Sequence, residues 1–250
     1  MLALSAAAFS PSAGAQVLFG SATTFTTASQ ALDLLPAESA VVYAVSFGTH
    51  AASNIAVNTG SNIYNFQTGA GTPVTLSGVP GAVQTVGENV GLAGADFGNT
   101  NFNTAVGSFN WVGGGMIDIL LTGLTDGQNY SVQLFAVDDR NLGGATSRGN
   151  QYSGDGGVTF STTANQGNTI NPGAVTTPNQ YIIGTFRASG TTQTIRASAV
   201  GSADTIISAL VLRAVAPELN AKAGLLPLTL FGFIGVLLWD RRRHKPFECC

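Results

Sequence analysis

The chain has 250 residues, of which only 9% are charged against about 25% in typical soluble domains. Glycine is abundant at 32 residues, and threonine, serine and asparagine are heavily used, which suits short strands joined by many turns and excludes a helical bundle. Residues 16–216 carry ten acids against five arginines and no lysine, a net charge of −5, so the clustered cations that a nucleic-acid backbone needs are missing and no nucleic-acid partner is expected.

The first segment, MLALSAAAFSPSAGAQ, reads as the back half of a secretory signal peptide over residues 1–15. Met1 to Phe9 form a short apolar stretch. Ala13-Gly14-Ala15 then place small residues at the −3 and −1 positions of a cut before Gln16. Cysteine is absent until Cys249 and Cys250, so residues 16–216 contain no disulfide and no thiolate metal site. A domain of this size buries enough core without such staples.

Residues 16–216 are expected to form one domain of alternating strands. VVYAVSFG, residues 41–48, is an early strand. GNTNFNT, residues 98–104, reads as low-complexity sequence without a period. MIDILLT, residues 116–122, alternates, with Ile117, Ile119 and Leu121 on one face. GLTDGQNY follows, and its Asp126-Gly127 pair is a strong turn signal. In YSVQLFAVDD both faces are largely apolar, with Tyr130, Val132, Leu134 and Ala136 on one side and Gln133, Phe135 and Val137 on the other, as a central strand requires. A long polar loop is expected over 140–180, and then three closing strands, 181–189, 191–198 and 205–215. The expected fold is mainly β, an antiparallel β-sandwich. This order of strand, GLTDGxxY turn, strand ending in Asp-Asp-Arg, polar loop and closing strands resembles the jelly-roll, galactose-binding-like modules of bacterial surface proteins, an analogy of fold alone.

The chemistry expected of this domain is sparse. Its single histidine, His50, has no G-x-S-x-G elbow or thiol to work with and reads as a loop residue. Asp138 and Asp139 are adjacent on a strand and point to opposite faces, so they do not make a glycosidase pair; Asp118 or Asp155 would have to meet one of them across strands. No enzyme is expected. Calcium is the one cofactor considered, with Asp138, Asp139 and Asp155 as candidate ligands. Set against it, and preferred, is a strand-end salt bridge from Asp138 or Asp139 to Arg140 or Arg148 that pins the long loop. For a glycan, Tyr152 in NQYSGDGG and Trp111 in SFNWVGGG are the candidate stacking aromatics, Tyr152 because it is expected to be exposed; a tryptophan placed like Trp111 more often serves the core or a sheet edge.

The C-terminus is the most informative stretch. Residues 223–239 are 17 apolar residues interrupted by Pro227, and Arg241, Arg242, Arg243, His244 and Lys245 follow. As a helix the run spans about 25 Å, close to the roughly 30 Å of a hydrocarbon core once the arginines snorkel. It is therefore expected to be a single transmembrane helix with its basic end cytoplasmic. Pro217-Glu218-Leu219, a short spacer, the apolar run and the arginine cluster together resemble the PEP-CTERM sorting signal of bacterial surface proteins, in its Pro-Glu-Leu-Asn variant. The resemblance covers residues 217–250. It implies an exosortase-type sorting enzyme as partner, export with an inner-membrane stage, and a destination at the cell surface or in an exopolysaccharide matrix. The role so implied is structural or adhesive, with a carbohydrate-binding module as the alternative.

Overall fold

The computed structural model describes residues 16–33, 39–49, 54–68, 72–79, 83–85, 96–138, 148–167, 178–200 and 204–216. The 1–15 leader, His50, Asp139, Pro217, Glu218, Leu219, the 223–239 run and Arg241, Arg242 and Arg243 lie outside them. In chain order the described elements are β1 (Leu18–Phe19), β2 (Thr23–Thr24), α1 (Ala28–Leu32), β3 (Ser39–Ser46), β4 (Asn54–Asn58), β5 (Ile63–Gln67), β6 (Val74–Val79) and β7 (Gln84–Thr85). They continue with α2 (Thr100–Val106), β8 (Asn110–Val112), β9 (Met116–Thr122), β10 (Asn129–Phe135), β11 (Gly149–Ser153) and β12 (Ala164–Asn165). The last four are β13 (Gln180–Arg187), β14 (Thr192–Val200), β15 (Thr205–Ile207) and β16 (Ala209–Val215).

The protein is mainly β and its strands form three sheets. The largest has eight strands in the order β1-β13-β10-β16-β3-β5-β4, with β2 also paired to β13. A second has five, β12-β11-β14-β9-β6, and a third has three, β15-β8-β7. Every pairing is antiparallel except β3 with β5, which is parallel.

Alternation along the strands decides what each face covers. Tyr130, Val132 and Leu134 of β10 and Leu210 and Leu212 of β16 share one buried cluster with Ile117, Ile119 and Leu121 of β9 and Ile195 and Ala197 of β14. The eight-stranded and five-stranded sheets are thus packed on a common core. The opposite face of the eight-stranded sheet carries Phe135, Val211 and Ala44, which pack with Ala31 and Leu32 of α1 and Phe102, Ala105 and Val106 of α2. β10 lies between β13 and β16 and is buried on both faces, as its two apolar sides require.

Both helices are short and capped from the sequence. Thr27 accepts from the Gln30 N–H, and Gln30 accepts in return from the Thr26 N–H. Asn99 accepts from the Phe102 N–H to start α2, so the stretch read as low-complexity is a helix with its cap. Asn99 and Asn101 also donate through their amides to the carbonyls of Asn58 and Ala56 on β4. Those side chains occupy backbone acceptors along the outermost strand of the sheet, which is how an edge is blunted against pairing.

Two turns carry the chain between the sheets. The Asp126-Gly127 turn joins β9 in one sheet to β10 in the other, and Ser189-Gly190-Thr191 joins β13 to β14 in the same way. They are corners and not hairpins, and they are bonded to each other: the Gly127 N–H donates to Ala188 O (2.8 Å), the Ala188 N–H to Gln128 O (2.9 Å) and the Leu124 N–H to Thr191 O (3.1 Å). Gly127 has φ +77°, a conformation that favours glycine. The phenol oxygen of Tyr130 accepts from the Thr125 N–H (2.8 Å), a tyrosine corner that closes the turn onto its own strand. The last expected strand, 205–215, is two strands in different sheets. They break at Ser208, whose hydroxyl accepts from the Val137 N–H.

Removing the Tyr130 hydroxyl tests the corner. Tyr130→Phe is expected to cost about 1 kcal/mol in chemical denaturation. Tyr43→Phe, whose hydroxyl reaches Thr122 O only at 3.5 Å, is expected to cost less.

Candidate functional site

A buried polar cluster lies past the ends of β10 and β12 and at the start of β11, and it gathers two of the residues singled out in the sequence. Asp138 is fully buried just past β10, and Arg148, immediately before β11, donates to it at 2.5 Å. The preferred salt bridge is therefore present, with Arg148 as the partner. Gln166 ties the cluster across the strands: its N–H donates to Arg148 O (3.0 Å), its carbonyl accepts from the Asp138 N–H (2.8 Å), and its amide donates to Asn150 Oδ1 (2.9 Å) and Asp204 O (3.1 Å). Asn150 donates in turn to Ile206 O. Arg148 Nη1 and Gln166 Oε1 are buried without a hydrogen-bond partner.

Part of the expected polar loop over 140–180 is strand, and this overturns the role given to Tyr152. Tyr152 lies in β11 and is fully buried, its ring 6.0 Å from that of Phe19. Burial pushes its phenol above the usual range. A side chain with no exposed surface cannot stack on a sugar. The signal that could have placed it was the short alternation Asn150-Gln151-Tyr152-Ser153, masked by the turn-rich residues around it. Trp111 is half-buried in β8, opposite Ile206 of β15, and packs on Phe109, Ala136 and Ile206. The two aromatics do not form one stacking surface.

The acids considered for calcium are separated. Asp138 is neutralised by Arg148. Asp155 organises its own loop: its Oδ1 accepts from the Ser153 hydroxyl (2.6 Å), the Thr159 N–H (2.9 Å) and the Val158 N–H (3.1 Å). The Ser153 hydroxyl bond, followed by the Thr159 amide, holds its carboxyl down at about 2. Among the described residues no group of three or more His, Cys, Asp or Glu side chains could hold a metal ion. Asp118 takes a two-bond fork from Arg196 Nε (2.7 Å) and Nη2 (2.8 Å), which raises the guanidinium pKa.

A second buried group escaped sequence reasoning. Arg213 on β16 is buried on the face covered by α1, and burial lowers its pKa. It donates to Gln133 Oε1 (3.1 Å) and to Leu32 O (3.1 Å), and its guanidinium carbon sits 5.6 Å from the Tyr64 ring centroid. Gln133 donates to Ala31 O (2.5 Å), and the Tyr64 hydroxyl donates to Leu32 O (2.7 Å). Together they satisfy the last carbonyls of α1 with donors and a positive charge. A charged residue inside an apolar strand was the available signal.

Compared with family models, curated proteins and solved structures, the chain matches none. Among the described residues no helix is long and apolar enough to cross a membrane.

Two outcomes test the electrostatics. Asp138→Asn leaves a buried guanidinium uncompensated and is expected to cost about 3 kcal/mol, whereas Asp118→Asn breaks a partly exposed pair and is expected to cost about 1 kcal/mol or less; denaturant midpoints distinguish them. Because the folded-state pKa of Asp155 lies below its ordinary 3.8, its contribution is full above pH 3.8 and is lost as pH falls towards about 2. The stability gap between wild type and Asp155→Ala is expected to be constant from neutrality to pH 3.8 and to close below it.

Proposed function

We propose that this is an exported bacterial surface or matrix protein whose body is a jelly-roll-like β-sandwich. Its C-terminal segment is a sorting signal and transmembrane anchor of the PEP-CTERM type. The observation that carries the reading is the layout of residues 217–250: Pro217-Glu218-Leu219, the apolar run 223–239, then Arg241, Arg242 and Arg243. The small-x-small site before Gln16 supports export from the other end. The partners in this reading are an exosortase-type enzyme, the inner membrane and exopolysaccharide, and the role is structural or adhesive.

The charge pattern of the body supports a passive role. Asp118 and Asp138 are each held by an arginine. Asp33, Asp96 and Asp155 accept hydrogen bonds from turn and cap groups. These acids serve the fold, and the exposed surface between them is rich in threonine, asparagine and serine.

The reading is tested by the intact mass of the protein from its native host, with membrane and released fractions measured separately. A released species that begins at Gln16 and ends near Glu218 is expected. A single species that retains every residue to Cys250 in all fractions overturns the sorting step.

A further inference from the structure

Gln16 is exposed, and among the described residues it takes part in no strand pairing and no hydrogen bond. The fold takes hold one residue later. Val17 is buried in the core shared by the eight-stranded and five-stranded sheets. Two glycines leave room for it: a Cβ on Gly154 would lie 2.4 Å from Val17 Cβ, and one on Gly184 would lie 2.7 Å from Val17 Cγ1. Leu18 and Phe19 then pair with Thr185 and Gly184 of β13. Residue 16 is therefore unengaged and stands directly in front of a clamped neighbour. A cut between Ala15 and Gln16 gives that residue an α-amine beside its own side-chain amide.

We infer that Gln16 is a modification site, at which the mature N-terminus closes to pyroglutamate. The inference rests on the reading that the chain is exported and cut before Gln16. The α-amine nitrogen attacks Cδ of its own side chain; an N–Cδ bond closes a five-membered lactam and the Cδ–Nε2 bond breaks. Ammonia leaves with the proton that the amine gives up. Nothing is oxidised or reduced, and no co-reactant is needed. Nucleophile and electrophile belong to one residue, so the step is intramolecular and favoured by proximity. Neither Val17 nor β1 has to move for it. No hydrogen bond among the described residues draws the Gln16 side chain away from its own amine. Closure removes the positive charge that the cut creates and leaves the side-chain net charge of −5 over residues 16–216 unopposed.

Residues 16–216 contain no lysine, so after the cut the α-amine is the only primary amine in that stretch and its state is read without background. The protein from membrane and released fractions of its native host is reductively dimethylated while intact, which fixes any open amine. It is then digested with chymotrypsin and the N-terminal peptide is weighed. The expected peptide begins at Gln16, is lighter than its sequence by one ammonia and carries no added methyl group. The Gln16→Asn chain, whose shorter amide would have to close a strained four-membered ring, is expected to begin at the same position with full mass and two added methyl groups. A wild-type peptide of full mass that begins at Gln16 and takes up the methyl groups overturns the inference and leaves the cut standing. Loss of ammonia that persists in the Gln16→Asn chain overturns the assignment to residue 16. A chain that begins elsewhere overturns the cut, and the inference with it.

Discussion

The eight-stranded sheet is covered on both faces, and much of the structure follows from that constraint. Its inner strands, β10 and β16, face the five-stranded sheet on one side and the two helices on the other. A polar side chain placed there is removed from water, where an unmet donor or acceptor costs on the order of 1–3 kcal/mol. Gln133 and Arg213 are such side chains, and both are directed at the C-terminal carbonyls of α1. A helix of five residues has no stability of its own. It is held by its Thr27 cap at one end, by Arg213, Gln133 and Tyr64 at the other, and by Ala31 and Leu32 packed on the sheet between them.

The corners are the second device on which the body relies. Two packed sheets need connections that cross between them, and each crossing exposes backbone groups at the rim. Here two of the crossings supply each other with partners, Gly127 with Ala188 and Leu124 with Thr191. Arg187 adds a bond from its Nε to Gly127 O (2.9 Å). Close approach is also built in nearby: a side chain at Gly184 of β13 would place its Cβ 2.7 Å from atoms of Val17 and Phe19, so glycine there lets β1 lie on the sheet.

Charge is rare in this protein, and where the structure describes it, it is mostly committed to local order. Asp138 with Arg148 and Asp118 with Arg196 join strands, while Asp96 and Asp155 hold a helix entry and a loop.

Local sequence determined the elements whose signals are local. Alternation located β3, β9, β10, β13 and β14. The two-sided apolar character of residues 130–137 marked an inner strand, because only burial on both faces tolerates it. An ion pair from Asp138 or Asp139 to Arg140 or Arg148 was legible, since a strand-end acid needs a nearby cation; that Asp138 meets Arg148 is seen only in the fold. The C-terminal run and its arginines are also local signals, and the membrane helix expected of them rests on the sequence alone, outside the described residues. Tertiary structure alone decided the rest. A turn such as Asp126-Gly127 has the same chemistry in a hairpin and in a corner, so its sequence could not say which sheet β10 would join. Tyr152 sits among glycines and serines that read as loop, and only the pairing of β11 with β14 turns it into the core. Arg213 is a strand residue that donates to the Leu32 carbonyl, 181 residues away in sequence. Which face a side chain meets depends on what packs there, and that is a property of the assembled sheets that no local pattern contains.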